Sequence, residues 1–137
     1  MLTSVGRFFY GDIVMNEQFS ELEKVIQIYF DGLFHSDIVR LKKAFHPEAQ
    51  YVCATADELV KLSMDEYFPI VDKRPSPASL GESRQDKIVS IEFAGPNTAF
   101  VRLNCAIGNR YFTDFLTLIK TKGRWQIIAK VFHYDVQ

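Results

Sequence analysis

The chain has 137 residues, which is the size of one compact domain around one hydrophobic core. Hydrophobic residues make up 47% of it and aromatic residues 14%, so apolar material remains for a ligand cavity or a subunit contact. The formal net charge is −1 and the basic residues are scattered, which excludes the basic surface that nucleic-acid binding requires.

The start of the chain, MLTSVGRFFYGDIV, has one basic residue and an aromatic patch too short for a membrane span. This segment could be a mobile arm, an edge strand that adds to a partner, or a leader before a start at Met15. We divide the chain into an arm, residues 1–15, and a domain, residues 16–137. Cys53 and Cys105 lie in apolar runs without C-x-x-C spacing, so we interpret them as free buried thiols of a cytoplasmic protein.

Helical periodicity dominates the first third of the domain. We expect Asn16 to cap a long helix, because apolar residues then recur at intervals of three and four. These apolar residues are Phe19, Leu22, Ile26, Tyr29, Phe30 and Leu33. Ser36 or Asp37 can cap a second, shorter helix. Ser63 and Glu66 form the capping-box pattern of a third helix, which the loop RPSPASLGES follows.

The segment FHPEAQYV marks the end of the second helix. Pro47 cannot continue a helix and disfavours helical geometry in the residue before it, so the chain should turn and form a strand near residues 49–54. His46 is therefore a boundary residue first, and a role for it in a pocket stays open. Tyr51 points into or out of the sheet according to strand parity, which the sequence leaves undecided.

Beyond Arg84 the pattern changes to alternating β-branched and aromatic residues, which predicts strands near residues 85–94, 98–107, 110–121 and 125–134. Tight turns at Gly108-Asn109 and Lys122-Gly123 would set the register of the last three strands. One face of the predicted sheet is then almost wholly apolar: Ala99, Val101, Leu103, Cys105, Phe112, Leu116, Leu118, Trp125, Ile127, Ala129 and Val131. The outer face, which includes Lys130 and Phe132, mixes polar and aromatic residues, and this suits a subunit interface.

Two polar residues interrupt the predicted apolar face. The register pairs Asp114 with Val131 and Phe112 with His133, which makes Asp114 and His133 diagonal neighbours. An acid among apolar side chains needs a partner or water. The two residues form either a catalytic pair, in which the carboxylate orients an imidazole that acts as general acid or base, or a satisfied polar pair at the rim. A slip of one residue would send both side chains to the other face.

Several kinds of site have no signature in the sequence. Metal-ligand spacing of histidines, a G-x-S-x-G nucleophile motif and a phosphate-binding glycine loop are all absent, so neither a metal nor a cofactor is predicted. We expect Trp125 to plug the narrow end of the fold. The aromatic side chains of Phe34, Tyr67 and Phe112 either line a ligand cavity or fill it.

Two segments carry a resemblance to a known superfamily. IYFDGLFHSDIVRLKKAFHPEAQYV resembles the helix, turn, helix and F-H-P-x-A segment of the nuclear transport factor 2-like superfamily, and DFLTLIKTKGRWQIIAKVFH resembles its closing hairpin. Within the superfamily the chain is most similar to the bacterial group labelled "putative lumazine-binding". The resemblance implies an α+β fold, a cone-shaped half-barrel in which three N-terminal helices pack on a curved, mostly antiparallel β-sheet.

This superfamily holds isomerases, dehydratases, cyclases, association subunits and plain binding proteins, so the resemblance alone leaves the function open. The first hypothesis is a protein that binds a small apolar or aromatic ligand between helices and sheet. The second is a cofactor-independent isomerase, dehydratase or cyclase that uses Asp114 and His133, and the third is a structural subunit. The candidate ligand-binding residues are His46, Tyr51, Phe34, Tyr67, Phe112, Leu103 and Trp125. We also expect a homodimer through the outer sheet face, and neither nucleic acid nor a membrane as partner.

Overall fold

The computed structural model describes the backbone of residues 2–137 and the side chains of residues 16–137. Three helices and six strands are formed in this part of the chain. The helices are α1 (Leu2–His35), α2 (Ile38–Ala44) and α3 (Met64–Lys73). The strands are β1 (Phe45–Cys53), β2 (Val60–Ser63), β3 (Asp86–Phe93), β4 (Thr98–Ile107), β5 (Arg110–Thr121) and β6 (Arg124–Val136).

The strands form one sheet in the order β2-β1-β6-β5-β4-β3. Every neighbouring pair is antiparallel except β1 and β6, which run parallel. The three helices pack against this open, curved sheet, which confirms the predicted α+β cone. The strand β2 was not predicted, because it has only four residues, at the edge of the sheet, which is too short for its alternation to stand out.

Strand β1 begins at Phe45, four residues before the predicted start. Its pairing with β6 shifts between Phe45 and Gln50, so Pro47 lies in an irregular stretch where its missing N–H breaks no regular ladder. The prediction that Pro47 ends α2 is confirmed, since the helix stops at Ala44.

Two of the three predicted helix caps are present. The Asp37 carboxylate accepts hydrogen bonds from the backbone N–H groups of Val39 and Arg40 at 3.0 and 3.2 Å. Ser63 and Glu66 form the predicted capping box of α3. Asn16 is not a cap, because α1 continues through it from Leu2. The predicted arm, residues 1–15, remains a prediction, since its side chains lie outside those described.

The core lies between α1 and the inner face of the sheet. The predicted apolar face of α1 is buried from Leu22 to Leu33, whereas Phe19 is exposed at its margin. The helices α1 and α2 approach closely at Gly32, where an added Cβ atom would lie 2.6 Å from the Cδ2 atom of Leu41. The core residues on the inner sheet face include Ala99, Val101, Leu103, Leu116, Leu118 and Ile127.

The predicted register is confirmed throughout the β4–β5 hairpin and at the start of the β5–β6 hairpin. Cys105 lies opposite Phe112, and Leu118 lies opposite Ile127. The register of β6 then shifts, because Thr117 lies opposite Ala129. Ile128 is therefore an extra residue in β6, which is a β-bulge.

The bulge makes the prediction for the rest of β6 wrong by one residue. Asp114 lies opposite Phe132 instead of Val131, and Phe112 lies opposite Tyr134 instead of His133. Since side chains alternate along a strand, this shift turns Lys130 and Phe132 inward and turns Val131 and His133 outward. The inner face consequently loses a histidine and gains a lysine beside Asp114.

Candidate functional site

The candidate site is built around the carboxylate of Asp114 on β5. Asp114 is fully buried, and the hydroxyl of Tyr29 on α1 donates a hydrogen bond of 2.5 Å to its Oδ2 atom. Burial, and then the adjacent charge of Asp114, raises the pKa of Tyr29 well above its usual value, so Tyr29 stays a neutral donor. The other oxygen, Oδ1, is buried and has no hydrogen-bond partner among the residues described.

Lys130 on β6 supplies the positive charge. Its Nζ atom lies 3.9 Å from Asp114 Oδ2, which is ion-pair distance but beyond a hydrogen bond, and its side chain is only 5% exposed. Burial by itself lowers the pKa of Lys130, but the charge of Asp114 and the other acidic groups around it outweigh this, so the pKa is raised. Lys130 is therefore an ammonium ion beside a carboxylate.

Aromatic rings surround the Lys130 ammonium, and we call these five rings the Lys130 cage. They lie with their centroids between 4.9 and 6.0 Å from Nζ and belong to Tyr29, Tyr51, Tyr67, Phe112 and Phe132. Ring faces attract a cation, so they offset part of the cost of burying it. The rings come from α1, β1, α3, β5 and β6, which makes the cage a product of the whole fold.

The arrangement combines two complementary groups in apolar surroundings. The Lys130 ammonium can donate to a carbonyl oxygen, and the free Oδ1 of Asp114 can accept a proton or a hydrogen bond. Charges of this kind act strongly where water is excluded, because the local dielectric constant is low. The site can therefore polarise a carbonyl group and hold a proton next to it.

The structure does not bring Asp114 and His133 together. His133 lies on the outer face with its side chain 58% exposed. Its Nε2 atom lies 3.0 Å from Asp135 Oδ1, and its Nδ1 atom lies 3.1 Å from the hydroxyl of Thr55. The predicted juxtaposition of the two residues was wrong because the bulge reverses the facing of β6 beyond Ile128.

Three of the candidate ligand-binding residues, Tyr51, Tyr67 and Phe112, do meet in the Lys130 cage. The sequence left open which face of the sheet Tyr51 lies on. In the structure it lies on the inner face, where its ring stacks on Tyr67 with centroids 4.5 Å apart. His46 lies outside the cage, and its Nδ1 atom accepts a hydrogen bond of 3.0 Å from the backbone N–H of Glu48. That contact fits the boundary role predicted for His46.

The remaining candidates lie away from the ammonium. Leu103 is buried directly opposite Asp114 in the β4–β5 ladder, so it forms an apolar wall behind the carboxylate. Phe34 packs under the guanidinium of Arg84 at 5.4 Å. Trp125 is buried beside the β5–β6 turn and meets Phe93 edge to face at 5.9 Å, in keeping with the predicted plug.

Sequence reasoning missed Tyr29, Lys130 and Phe132 as site residues. Tyr29 was assigned to the core, which it also fills, and Lys130 was placed on the outer face. A signal was available, because Ile127 and Ile128 are consecutive apolar residues that interrupt the alternation of a strand with one polar face.

The two cysteines are free and buried, as predicted. Burial raises the pKa of the Cys105 thiol to about 12, so it is protonated and unreactive at neutral pH. No group of three or more histidine, cysteine, aspartate or glutamate side chains among residues 16–137 is arranged to hold a metal ion. Within the described chain, no helix combines the length and the apolar character needed to cross a membrane.

Comparison with known proteins points to one family. The family model described as "Putative lumazine-binding" matches residues 17–133. A relative named Aldolase FrzH, from Cladobotryum sp, is 28% identical over 119 residues, which cover 83% of this chain and 91% of that protein.

Solved structures with the same fold cover most of the chain. A protein of unknown function from Silicibacter pomeroyi DSS-3, described as NTF2-like, superposes with a TM-score of 0.79 at 21% identity over 88% of this chain and 98% of its own. Another, from Shewanella baltica OS155, superposes with a TM-score of 0.78 at 24% identity over 88% of this chain and 96% of its own. These similarities confirm the nuclear transport factor 2-like fold.

The charge pair can be tested by unfolding the protein in urea at pH 7. We expect Asp114→Asn to lower the free energy of unfolding by about 3–5 kcal/mol, because it leaves the buried Lys130 ammonium unpaired. The double variant Asp114→Asn with Lys130→Met should lose less than the sum of the two single variants. His133→Ala, on the exposed outer face, should cost about 0.5 kcal/mol or less. Additive single effects, or a His133→Ala loss equal to that of Asp114→Asn, would contradict the pairing.

Proposed function

Because the chain belongs to the family described as "Putative lumazine-binding", we propose that it binds a small, flat carbonyl compound at the Lys130 cage. One observation carries the proposal: the buried Lys130 ammonium lies 3.9 Å from Asp114 Oδ2, and the other oxygen of that carboxylate, Oδ1, is buried with no hydrogen-bond partner among the described residues. A ligand could place a hydrogen-bond acceptor against the Lys130 ammonium and a donor, or an acidic C–H group, against Asp114 Oδ1.

Buried polar groups without hydrogen-bond partners lower the stability of the protein when no ligand is bound. The Lys130 ammonium has three N–H donors, and its Nζ atom lies 3.9 Å from the Oδ2 atom of Asp114, which is too far for a hydrogen bond. A buried oxygen without a partner, such as Asp114 Oδ1, costs about 1–3 kcal/mol. A ligand group that donates a hydrogen bond to Oδ1 would remove this cost, and a carbonyl oxygen placed against Nζ would accept a hydrogen bond from the ammonium. Both favour a ligand with polar groups over a purely apolar one.

The shape of the cage supports a flat ligand. Tyr51 lies between Tyr67 and Phe132, with ring centroids 4.5 and 4.7 Å from theirs. Tyr51 is only partly buried, whereas Tyr29, which donates to the Asp114 carboxylate, is fully buried. A ring-shaped compound would therefore enter past Tyr51 and reach the Lys130 ammonium before the deeper carboxylate of Asp114.

A second candidate function is an aldol reaction, which the name of the 28%-identical aldolase relative favours. Asp114 Oδ1 would take a proton from the carbon next to a carbonyl group, and the resulting enolate oxygen would lie against the Lys130 ammonium. The enolate carbon would then attack the carbonyl carbon of an aldehyde or ketone. The new alkoxide would take the proton back from Asp114, which leaves the protein unchanged.

The outer face of the sheet supports the homodimer, with a second copy of this chain as the partner. Phe100, Phe115 and Val131 are 37%, 43% and 47% exposed there. The rings of Phe100 and Phe115 lie 5.5 Å apart, and Arg102 lies over Phe115 at 5.6 Å. The β6 bulge turns Val131 outward, so Val131 joins Phe100 and Phe115 among the exposed apolar side chains of this face.

Ligand binding can be tested by calorimetric titration with lumazine and with phenylacetone, a ring compound with one ketone. We expect both to bind the wild type and to bind Lys130→Met about 10- to 100-fold more weakly, because a charge-assisted hydrogen bond is lost. The matched control is Lys42→Met, since Lys42 also lies over an aromatic ring, 5.9 Å from the centroid of Phe68, but on the surface. Absence of binding to the wild type, or an equal loss in both variants, would contradict the proposal.

The aldol candidate can be tested by proton NMR, which follows exchange of the phenylacetone α-protons in deuterated water. The wild type should accelerate this exchange, and Asp114→Asn should reduce the acceleration by at least about 100-fold, because the base is lost. His133→Ala should leave it unchanged. If the wild type binds phenylacetone without accelerating exchange, the aldol candidate is wrong and the binding function stands.

The dimer can be tested by analytical ultracentrifugation. The wild type should sediment as a dimer, and Val131→Asp or Phe115→Asp should sediment as a monomer, because each would bury a charge without a partner. Leu80→Asp, at an exposed leucine in the loop before β3, should remain a dimer. A monomeric wild type would overturn the proposed interface.

A further inference from the structure

An arginine side chain near the cage has unused donors. Arg74 follows directly after α3, where its backbone N–H donates to the Val71 carbonyl at 3.3 Å. The Nε and Nη2 atoms of its guanidinium are both buried, and neither has a hydrogen-bond partner within the described chain. Arg84 differs, because its guanidinium lies 2.7 Å from both Asp31 and Asp86.

The two unused nitrogens belong to one edge of the guanidinium. Nε and Nη2 point their N–H bonds in parallel, so this edge matches the two oxygens of a carboxylate in a bidentate pair. Leaving both donors buried and unpaired is costly, whereas a planar anion would satisfy them together. The edge therefore has the geometry of a carboxylate-binding group that lacks its carboxylate among the described side chains.

Electrostatics connect Arg74 to the Lys130 cage. Burial raises the pKa of Tyr51, and the charges of Lys130 and Arg74 both act against that rise. The same two charges act on the Cys105 thiol, where burial and Asp114 dominate. Arg74 thus lies within electrostatic range of Tyr51 on β1 and of Cys105 on β4, the same two residues that the Lys130 charge reaches.

The pairing of charges at this end of the cone favours an anionic ligand. Lys130 has Asp114 as its opposite charge and Arg84 has Asp31 and Asp86, whereas the Nε and Nη2 edge of Arg74 has no carboxylate partner within the described chain. A ligand carboxylate would supply that partner, which lowers the cost of keeping the guanidinium edge away from water.

We propose that Arg74 binds a carboxylate and that the ligand of the Lys130 cage is an oxo acid with an aromatic or apolar body. Its ketone oxygen faces the Lys130 ammonium, and its carboxylate lies along the Nε and Nη2 edge of Arg74. The inference rests on the proposed function, since it names the class of compound that the same site takes.

The test compares acids with their uncharged esters. The probes are phenylpyruvate and 3-benzoylpropionate, which differ in the spacing between ketone and carboxylate, and the methyl ester of each. By calorimetry at neutral pH, at least one acid should bind the wild type about 10- to 100-fold more tightly than its ester. In Arg74→Gln this advantage should disappear while the affinity for the ester stays the same.

Two further variants and a spectroscopic measurement separate binding from a structural role of Arg74. Arg74→Lys keeps the positive charge but lacks the two parallel N–H donors, so this variant should show only part of the wild-type preference for the acid. Arg40→Gln, at an exposed arginine paired with Asp37, should keep the full preference. In the wild type, the NMR signal of the Arg74 Nε–H group should shift when the acid is added and not when the ester is added.

The outcomes distinguish this inference from the proposed function. If the esters bind and depend on Lys130, but the acids bind no better, Arg74 is not a carboxylate site and the proposed function stands. If the acids bind in an Arg74-dependent manner that Lys130→Met leaves unchanged, the ligand does not occupy the cage and both are overturned in their present form. If neither acids nor esters bind the wild type but lumazine binds in a Lys130-dependent manner, the oxo acid inference is overturned and the proposed function stands. If lumazine and phenylacetone also fail to bind, both are overturned.

Discussion

A carboxylate buried in the apolar face of a sheet is the constraint on which the rest of this site depends. Asp114 has no exposure to solvent, so its charge must be compensated by the protein. Tyr29 compensates it with a hydrogen bond from α1, and Lys130 compensates it with an opposite charge from β6. The ammonium is then itself buried, and aromatic rings from five elements surround it.

One inserted residue in β6 makes this compensation possible. Without the bulge at Ile128, Lys130 would face outward and Asp114 would lie opposite Val131. The same shift exposes Val131 on the outer face, so one local irregularity changes both the candidate ligand site and the candidate subunit interface. Bulges often re-aim a side chain beside a functional site, and the geometry here fits that use.

The protein leaves some of these buried polar groups without partners, and this supports the proposed function. Asp114 Oδ1 and the Arg74 edge are buried donors and acceptors without partners in residues 16–137. A protein selected only for stability would gain by pairing these groups or by replacing them with apolar side chains. Their arrangement around a cation and a set of flat rings instead supports the proposed binding of a small polar ring compound.

The sequence alone determined most of the elements and most of the register, because apolar periodicity, caps and tight turns act locally. It identified the cone, the capping box of Ser63 and Glu66, the pairing of Cys105 with Phe112, and Asp114 as the polar residue on the inner face. It did not identify the partners of Asp114, because a bulge reverses the facing of every later residue in its strand. Only the tertiary structure decided that Lys130 faces inward, that His133 faces outward, and that Tyr29 of a distant helix meets the carboxylate.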